Sequence, residues 1–269
     1  MLTIKDITDY LESIAPLHLQ ESYDNVGLIV GDPNREVTGV LTSLDCLEVT
    51  VAEAVERGCN LIVAHHPIVF RGLKRLNGAD YVERTVIEAI KQDVAIYAIH
   101  TNLDNVFDGV NKRIAERLDL RKYKILKPKA EDPNIGSGMV GDLPAPMESQ
   151  AFLQYLTERM QAQVVRHTEP LAGRISRVAV CGGAGGFTLG AAKQAGAQVL
   201  VTADYKYHEF FDADGQIMIC DIGHYESEQF TTQLLAELLS NKFRTFAVLC
   251  TKHNTNPVRY YEHSSEKSS

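Results

Sequence analysis

Leu61-Ile62-Val63-Ala64-His65-His66-Pro67 is a short apolar run, rich in β-branched residues, that ends in two histidines and a proline. Such a run has the length and composition of a strand buried on both faces, as the strands of a parallel sheet are. An open parallel sheet forms its ligand crevice at the carboxyl ends of its strands, so this run would present two imidazoles there. Neutral imidazole is the commonest metal ligand among side chains. The same seven residues thus point to an α/β sheet and to a metal.

The flanking sequence repeats the grammar. GVLTSLD (39–45) reads as a strand, LEVTVAEAVERG (47–58) as an amphipathic helix closed by Gly58, and YVERTVIEAIKQ (81–92) as a second helix. The strand VAIYAIH (94–100) and the helix GVNKRIAERLDL (109–120) follow. Later come the strand RVAVCGG (177–183), the helix FTLGAAKQAG (187–196) and the strand AQVLVTAD (197–204). A single offset of 138 positions places Gly58 on Gly196, Val40 on Val178, Val63 on Val201, and His65-His66 on Ala203-Asp204. The fold class expected is α/β: two related lobes with mostly parallel sheets flanked by helices. YKILKPKAEDPNIGSGMVGDLPAP (123–146), rich in Pro, Gly and charge, reads as the boundary between them. A helix (147–160) and a strand-like AQVVRHT (162–168) then open the second half. Residues 1–126 with 222–257 would form a metal-bearing lobe, 127–221 a second lobe, and 258–269 a polar tail.

Composition narrows the function classes. A formal net charge of −8 argues against general binding of nucleic acid or of anionic membranes, and no apolar run approaches a membrane span. The start, MLTIKDITDYLESI, is acidic and amphipathic rather than a targeting peptide. Five scattered cysteines in apolar surroundings fit reduced thiols, and the expected compartment is the cytoplasm.

Polar residues gather at the expected strand ends: Asp45, then His65 and His66, then His100 and Asp104. A further element, GHYESE (223–228), precedes a leucine-spaced helix over 226–243. Glu228, seven residues before Leu235, falls within about 20° of it around a helix. His224, four before Glu228, shares that face. A carboxylate on an apolar stripe is costly unless something positive meets it. His65, His66, Asp104, His224 and Glu228 are three imidazoles and two carboxylates. One four-coordinate ion would leave a carboxylate spare, whereas two ions sharing ligands would use all five. Nitrogen and oxygen donors suit Zn²⁺, Fe²⁺, Mn²⁺ or Ni²⁺ without choosing among them. GGAGG (182–186) reads as a tight β–α turn, with an anion cradle as the alternative; it has neither the lysine nor the spacing of a P-loop. Asp24-Asn25 is either turn chemistry or a helper pair near the metals.

ESYDNVGLIVGD (21–32), AHHP (64–67), HTNLD (100–104) and GHYESE (223–228), in this order, resemble the GTP cyclohydrolase 1 type 2 homologues, also called the NGG-interacting-factor-three-like proteins. The likeness runs from the N-terminus to about Pro257. It implies a dinuclear metal site on His65, His66, Asp104, His224 and Glu228. It also implies a two-lobed subunit and a ring-shaped homohexamer, a trimer of dimers, whose metal sites face an internal cavity. His100 would be an outer partner, bonding Asp104 or a substrate. By its place after the second-half strand, His208 is either a surface or core histidine or a group that reaches the site from the other lobe. Ala203 stands where the family usually has glycine and Tyr23 where tryptophan is common. The function expected is a dinuclear metal-dependent hydrolase on a nucleotide-like or other small phosphorylated substrate. The alternative is a non-enzymatic metal-binding regulator or an oligomeric scaffold for partner proteins.

Overall fold

Alternate residues of the inner strands feed different cores. In the strand Leu61–Ala64, Leu61 and Val63 join one apolar cluster while Ile62 and Ala64 join another. In Val199–Thr202, Val199 and Val201 join that first cluster and Leu200 a third. With a side-chain period of two, strands apolar on both faces must be covered on both. The computed structural model, which describes residues 2–129 and 132–261, meets this demand with two sheets on either side of a shared helical layer. Helices Ile4–Ile14, Val110–Arg117, Ser149–Met160 and Thr231–Lys242 bury their apolar faces in that central cluster. Helices Glu48–Glu56 and Tyr81–Lys91 cover the outer face of the first sheet, and Leu189–Gln194 covers that of the second.

Both sheets are mixed. The first runs in the order Gly27–Val30, Ala95–Ala98, Leu61–Ala64, Gly39–Ser43 and Ala247–Cys250; all pairs are parallel except that of Gly27–Val30. The second runs Arg121–Lys129, Asp132–Glu148, Arg174–Val180, Val199–Thr202, Met218–Asp221 and Arg166–His167. Its three central strands Arg174–Val180, Val199–Thr202 and Met218–Asp221 are parallel and its outer strands antiparallel. The two βαβ units share one register: Val40 pairs with Leu61, and Val178 with Val199, each 138 positions on.

The Pro- and Gly-rich stretch 123–146, expected to hold the boundary, supplies paired antiparallel strands, Arg121–Lys129 and Asp132–Glu148, with Ile125 opposite Met139. Its glycines are there for close approach. A Cβ on Gly136 would lie 2.2 Å from the Lys127 carbonyl, and one on Gly138 2.8 Å from that of Val180. Pro128 is tolerated because its strand is an edge. Two local expectations need correction beyond it. The expected strand over 162–168 shrinks to Arg166–His167. The expected single helix over 226–243 is two, His224–Glu228 and Thr231–Lys242, broken at Gln229–Phe230 where the Gln229 side chain donates to the Met160 carbonyl. All five cysteines are unpaired. Among the described residues no helix is long and apolar enough to cross a membrane.

Candidate metal centre

The carboxyl ends of both sheets open onto one place. His65 and His66 follow the strand Leu61–Ala64, and His100 and Asp104 follow Ala95–Ala98. From the second sheet, Asp204 follows Val199–Thr202, and His224 follows Met218–Asp221 by way of Gly223, whose φ of +92° suits glycine. The helix that begins at His224 carries Glu228 inward until it is only 3% exposed.

Each imidazole is aimed by its far nitrogen. His65 Nδ1 lies 2.8 Å from the Ile99 carbonyl, His66 Nδ1 2.8 Å from Asp45 Oδ1, and His224 Nδ1 2.7 Å from Asp204 Oδ2. All three Nε2 atoms are thereby turned toward one another and toward Glu228. Partners of this kind orient metal-binding histidines and fix the tautomer that offers the lone pair. His66 Nε2 and His224 Nε2 are 3.3 Å apart, and each is 3.0 Å from Glu228 Oε2. His65 Nε2 is 3.9 Å from the other oxygen, Glu228 Oε1, and 3.7 Å from Asp104 Oδ1. Two donors about 2.1 Å from one tetrahedral ion stand roughly 3.4 Å apart, so both groups have ligand-like spacing.

Charge and satisfaction agree with that geometry. His65 Nε2 and Asp104 Oδ1 are buried and have no hydrogen-bond partner, a state that costs about 1–3 kcal/mol per group unless an ion meets it. Burial, and then the nearby charge of Glu228, pushes the Asp104 carboxyl up. Burial opposes the charge on Glu228, yet His224, His65 and His66 hold it well below the usual carboxylate range. Burial likewise opposes protonation of His66 and His224. The bonds from Asp45 and Glu228 raise His66 to about 9, and the Glu228 charge with Asp204 raises His224 to about 11. The residues therefore fit a divalent cation: a nearly dry carboxylate gathers positive charge, and two donor atoms lack partners.

His100 stands beside the cluster, its ring 5.2 Å from that of His65 and 5.3 Å from that of His66. Asp24 receives His100 Nδ1 at 2.9 Å and also accepts from the Thr101 amide and hydroxyl. Burial works against its charge, but these bonds hold the Asp24 carboxyl at about 2. Asn25 turns away and donates to the Val69 carbonyl. His208 lies exposed on the short helix Tyr207–Ala213, packed against Tyr207 and Phe211, and the structure does not bring it to the cluster. Ala203 has ordinary backbone and donates its amide to the Gly183 carbonyl; the positive φ falls on Asp204.

The loop 182–186 is no anion cradle. The amides of Gly182, Gly183 and Gly185 donate to Asn111, Ser227 and Thr202 side chains. What the loop does is pass close over the ligands: a Cβ on Gly183 would sit 2.6 Å from Glu228 Oε1. Sequence reasoning missed Asp204 as a partner of His224, although the offset of 138 had set it on His66. The cluster opens into a cleft of about 410 Å³. Tyr23, Phe70 and Phe187 line its mouth, 63%, 45% and 58% exposed.

A family model for Duf34/NIF3 (NGG1p interacting factor 3) matches residues 2–257. The chain belongs to this family. A Clostridium perfringens relative named "GTP cyclohydrolase 1 type 2 homolog" is 35% identical, over 84% of this chain and 87% of its own. A Lactococcus lactis relative of the same name is 32% identical, over 95% and 98%. Among solved structures, a Staphylococcus aureus hypothetical protein matches with a TM-score of 0.90 at 29% identity, covering 96% of this chain and 99% of that one. The family-model match spans every residue of the candidate metal centre.

Proposed function

We propose that this Duf34/NIF3 chain binds two divalent ions through His65, His66, Asp104, His224 and Glu228 and is a hydrolase of small nucleotide-like or phosphorylated molecules. The observation that carries the reading is the division of Glu228: Oε2 faces His66 and His224, while Oε1 faces His65, whose Nε2 also lies 3.7 Å from Asp104 Oδ1. A carboxylate whose two oxygens serve separate ligand groups is a natural bridge. Bound there, the ions would supply Lewis acidity and an activated water at neutral pH. Nitrogen and oxygen ligands suit Zn, Fe, Mn or Ni.

The chain's own residues do the rest. His100 lines the cleft with Nδ1 tied to Asp24, which leaves Nε2 to carry a proton to or from a substrate. Tyr23, Phe70 and Phe187 offer ring faces at the mouth, suited to a planar heterocycle and to shedding water around it. Among the described residues no Lys or Arg lines the cleft. An anionic group would therefore meet the ions, or Lys127, which sits 5.0 Å over the Phe187 ring. The relatives' shared name, "GTP cyclohydrolase 1 type 2 homolog", suits such a ligand. A cleft of this volume admits a small molecule and not a folded polymer. The family resemblance adds a homohexamer, a trimer of dimers, with the clefts facing inward.

The test is turnover of GTP and of chromogenic phosphodiesters by protein loaded with Mn²⁺ or Zn²⁺. Consumption that disappears on chelation and in His100→Ala supports the hydrolase. No consumption by fully loaded protein favours a metal-binding regulator or scaffold.

A further inference from the structure

The segment after the last strand of the first sheet returns across the back of the metal cluster. Thr251 and the Lys252 amide bond the buried Glu53 carboxylate, and buried Asn256 donates to Glu226 at 3.0 Å. Between these anchors lies Thr255, itself buried, whose hydroxyl donates to Asp45 Oδ2 at 2.5 Å. The other oxygen of Asp45 accepts from His66 Nδ1 at 2.8 Å. His66 Nε2 is in turn one corner of the group with His224 and Glu228 Oε2.

We infer that Thr255 is a positioning residue for metal binding, locking Asp45 so that His66 presents Nε2 to one of the two ion positions. The inference rests on the metal reading above. Physically, Asp45 is joined to the strand Gly39–Ser43 through a short loop and is partly exposed. With its Oδ2 unbound, the carboxylate is free to rotate, and the imidazole it holds loses its fixed tautomer and orientation. Outer partners of this sort typically change metal affinity by about 10–100-fold. His65 takes its orientation from a backbone carbonyl instead, so the position shared by His65 and Asp104 does not depend on Thr255. The dependence is therefore one-sided. It also makes the segment 251–256, far from the histidines in sequence, part of the site.

The experiment is Zn²⁺ binding by the full chain in competition with a chromogenic chelator, read alongside thermal unfolding. Thr255→Val keeps the volume and removes the hydroxyl; Thr255→Ser keeps the hydroxyl. Expected is a tenfold or greater loss of affinity for one of two ions in Thr255→Val, with the other unchanged, and near wild-type binding of both in Thr255→Ser. If the valine variant misfolds, Asp45→Ala is read in its place, with the same one-sided loss expected. Unchanged binding of both ions in a folded Thr255→Val, or an equal loss of both with a lowered melting temperature, would overturn the inference. Wild-type protein that takes up no Zn²⁺ would instead refute the metal reading beneath it.

Discussion

Gly183 shows how tightly the site constrains a single position. Its φ of +60° lies in the left-handed region, where a Cβ costs about 1–2 kcal/mol, and that Cβ would press on Glu228 Oε1. Gly183→Ala is expected to displace Glu228 and weaken binding of both ions, since each group of ligands uses one oxygen of that carboxylate. Glu228→Gln asks a complementary question. The amide nearly keeps the shape but not the charge, so the chain should fold while ion occupancy falls, by more than the roughly 10–100-fold typical of outer partners. Elemental analysis and circular dichroism check both variants. Occupancy unchanged in Glu228→Gln would make that carboxylate a mere partner of the histidines. That His65, His66 and Asp104 gather was legible from strand ends, and His224 with Glu228 from their i,i+4 spacing; the stripe shared with Leu235 was not a valid signal, because the helix breaks at Gln229–Phe230. Asp204 and Thr255 were not legible, since one lies in the other sheet and the other some 190 positions beyond His66.

At the scale of elements, the returning C-terminal segment has its own pH dependence through Glu53. Burial disfavours ionised Glu53, but the bonds from Thr251, the Lys252 amide and Arg57 more than offset it and lower its pKa. A carboxyl whose folded pKa is depressed contributes stability that is present above its unfolded value, near about 4.3. That contribution is lost as pH falls through the lower folded value. Glu53→Gln should therefore destabilise by about 1–3 kcal/mol at neutral pH, and the difference from wild type should shrink below about pH 4. Denaturant unfolding at equal metal loading measures it; a gap that does not depend on pH would mean the carboxylate's charge is irrelevant. The βαβ units were readable because both faces of their strands are apolar and Gly58 and Gly196 close their helices. The pairing of Arg121–Lys129 with Asp132–Glu148 was not, because their glycines and Pro128 give the composition of a boundary segment. Only the facing strand reveals that those glycines make room for neighbouring backbone.

For the whole molecule, two sheets share one helical layer and aim their carboxyl ends at one cleft. The site is thus a joint product of both halves: histidines from the first sheet, Asp204, His224 and the Gly183 turn from the second. A ring of six subunits facing inward would give a mass of six times 29.8 kDa by light scattering; a monomer at micromolar concentration would remove the ring while leaving the cleft intact. The central claim is the bridge at Glu228, and a count of metal per folded subunit tests it most directly. Elemental analysis after gentle, chelator-free purification and reloading with Mn²⁺ or Zn²⁺ should give two ions per chain. A value fixed at one under saturating metal would contradict the account, because five converging ligands and a divided carboxylate would then have no second ion to serve.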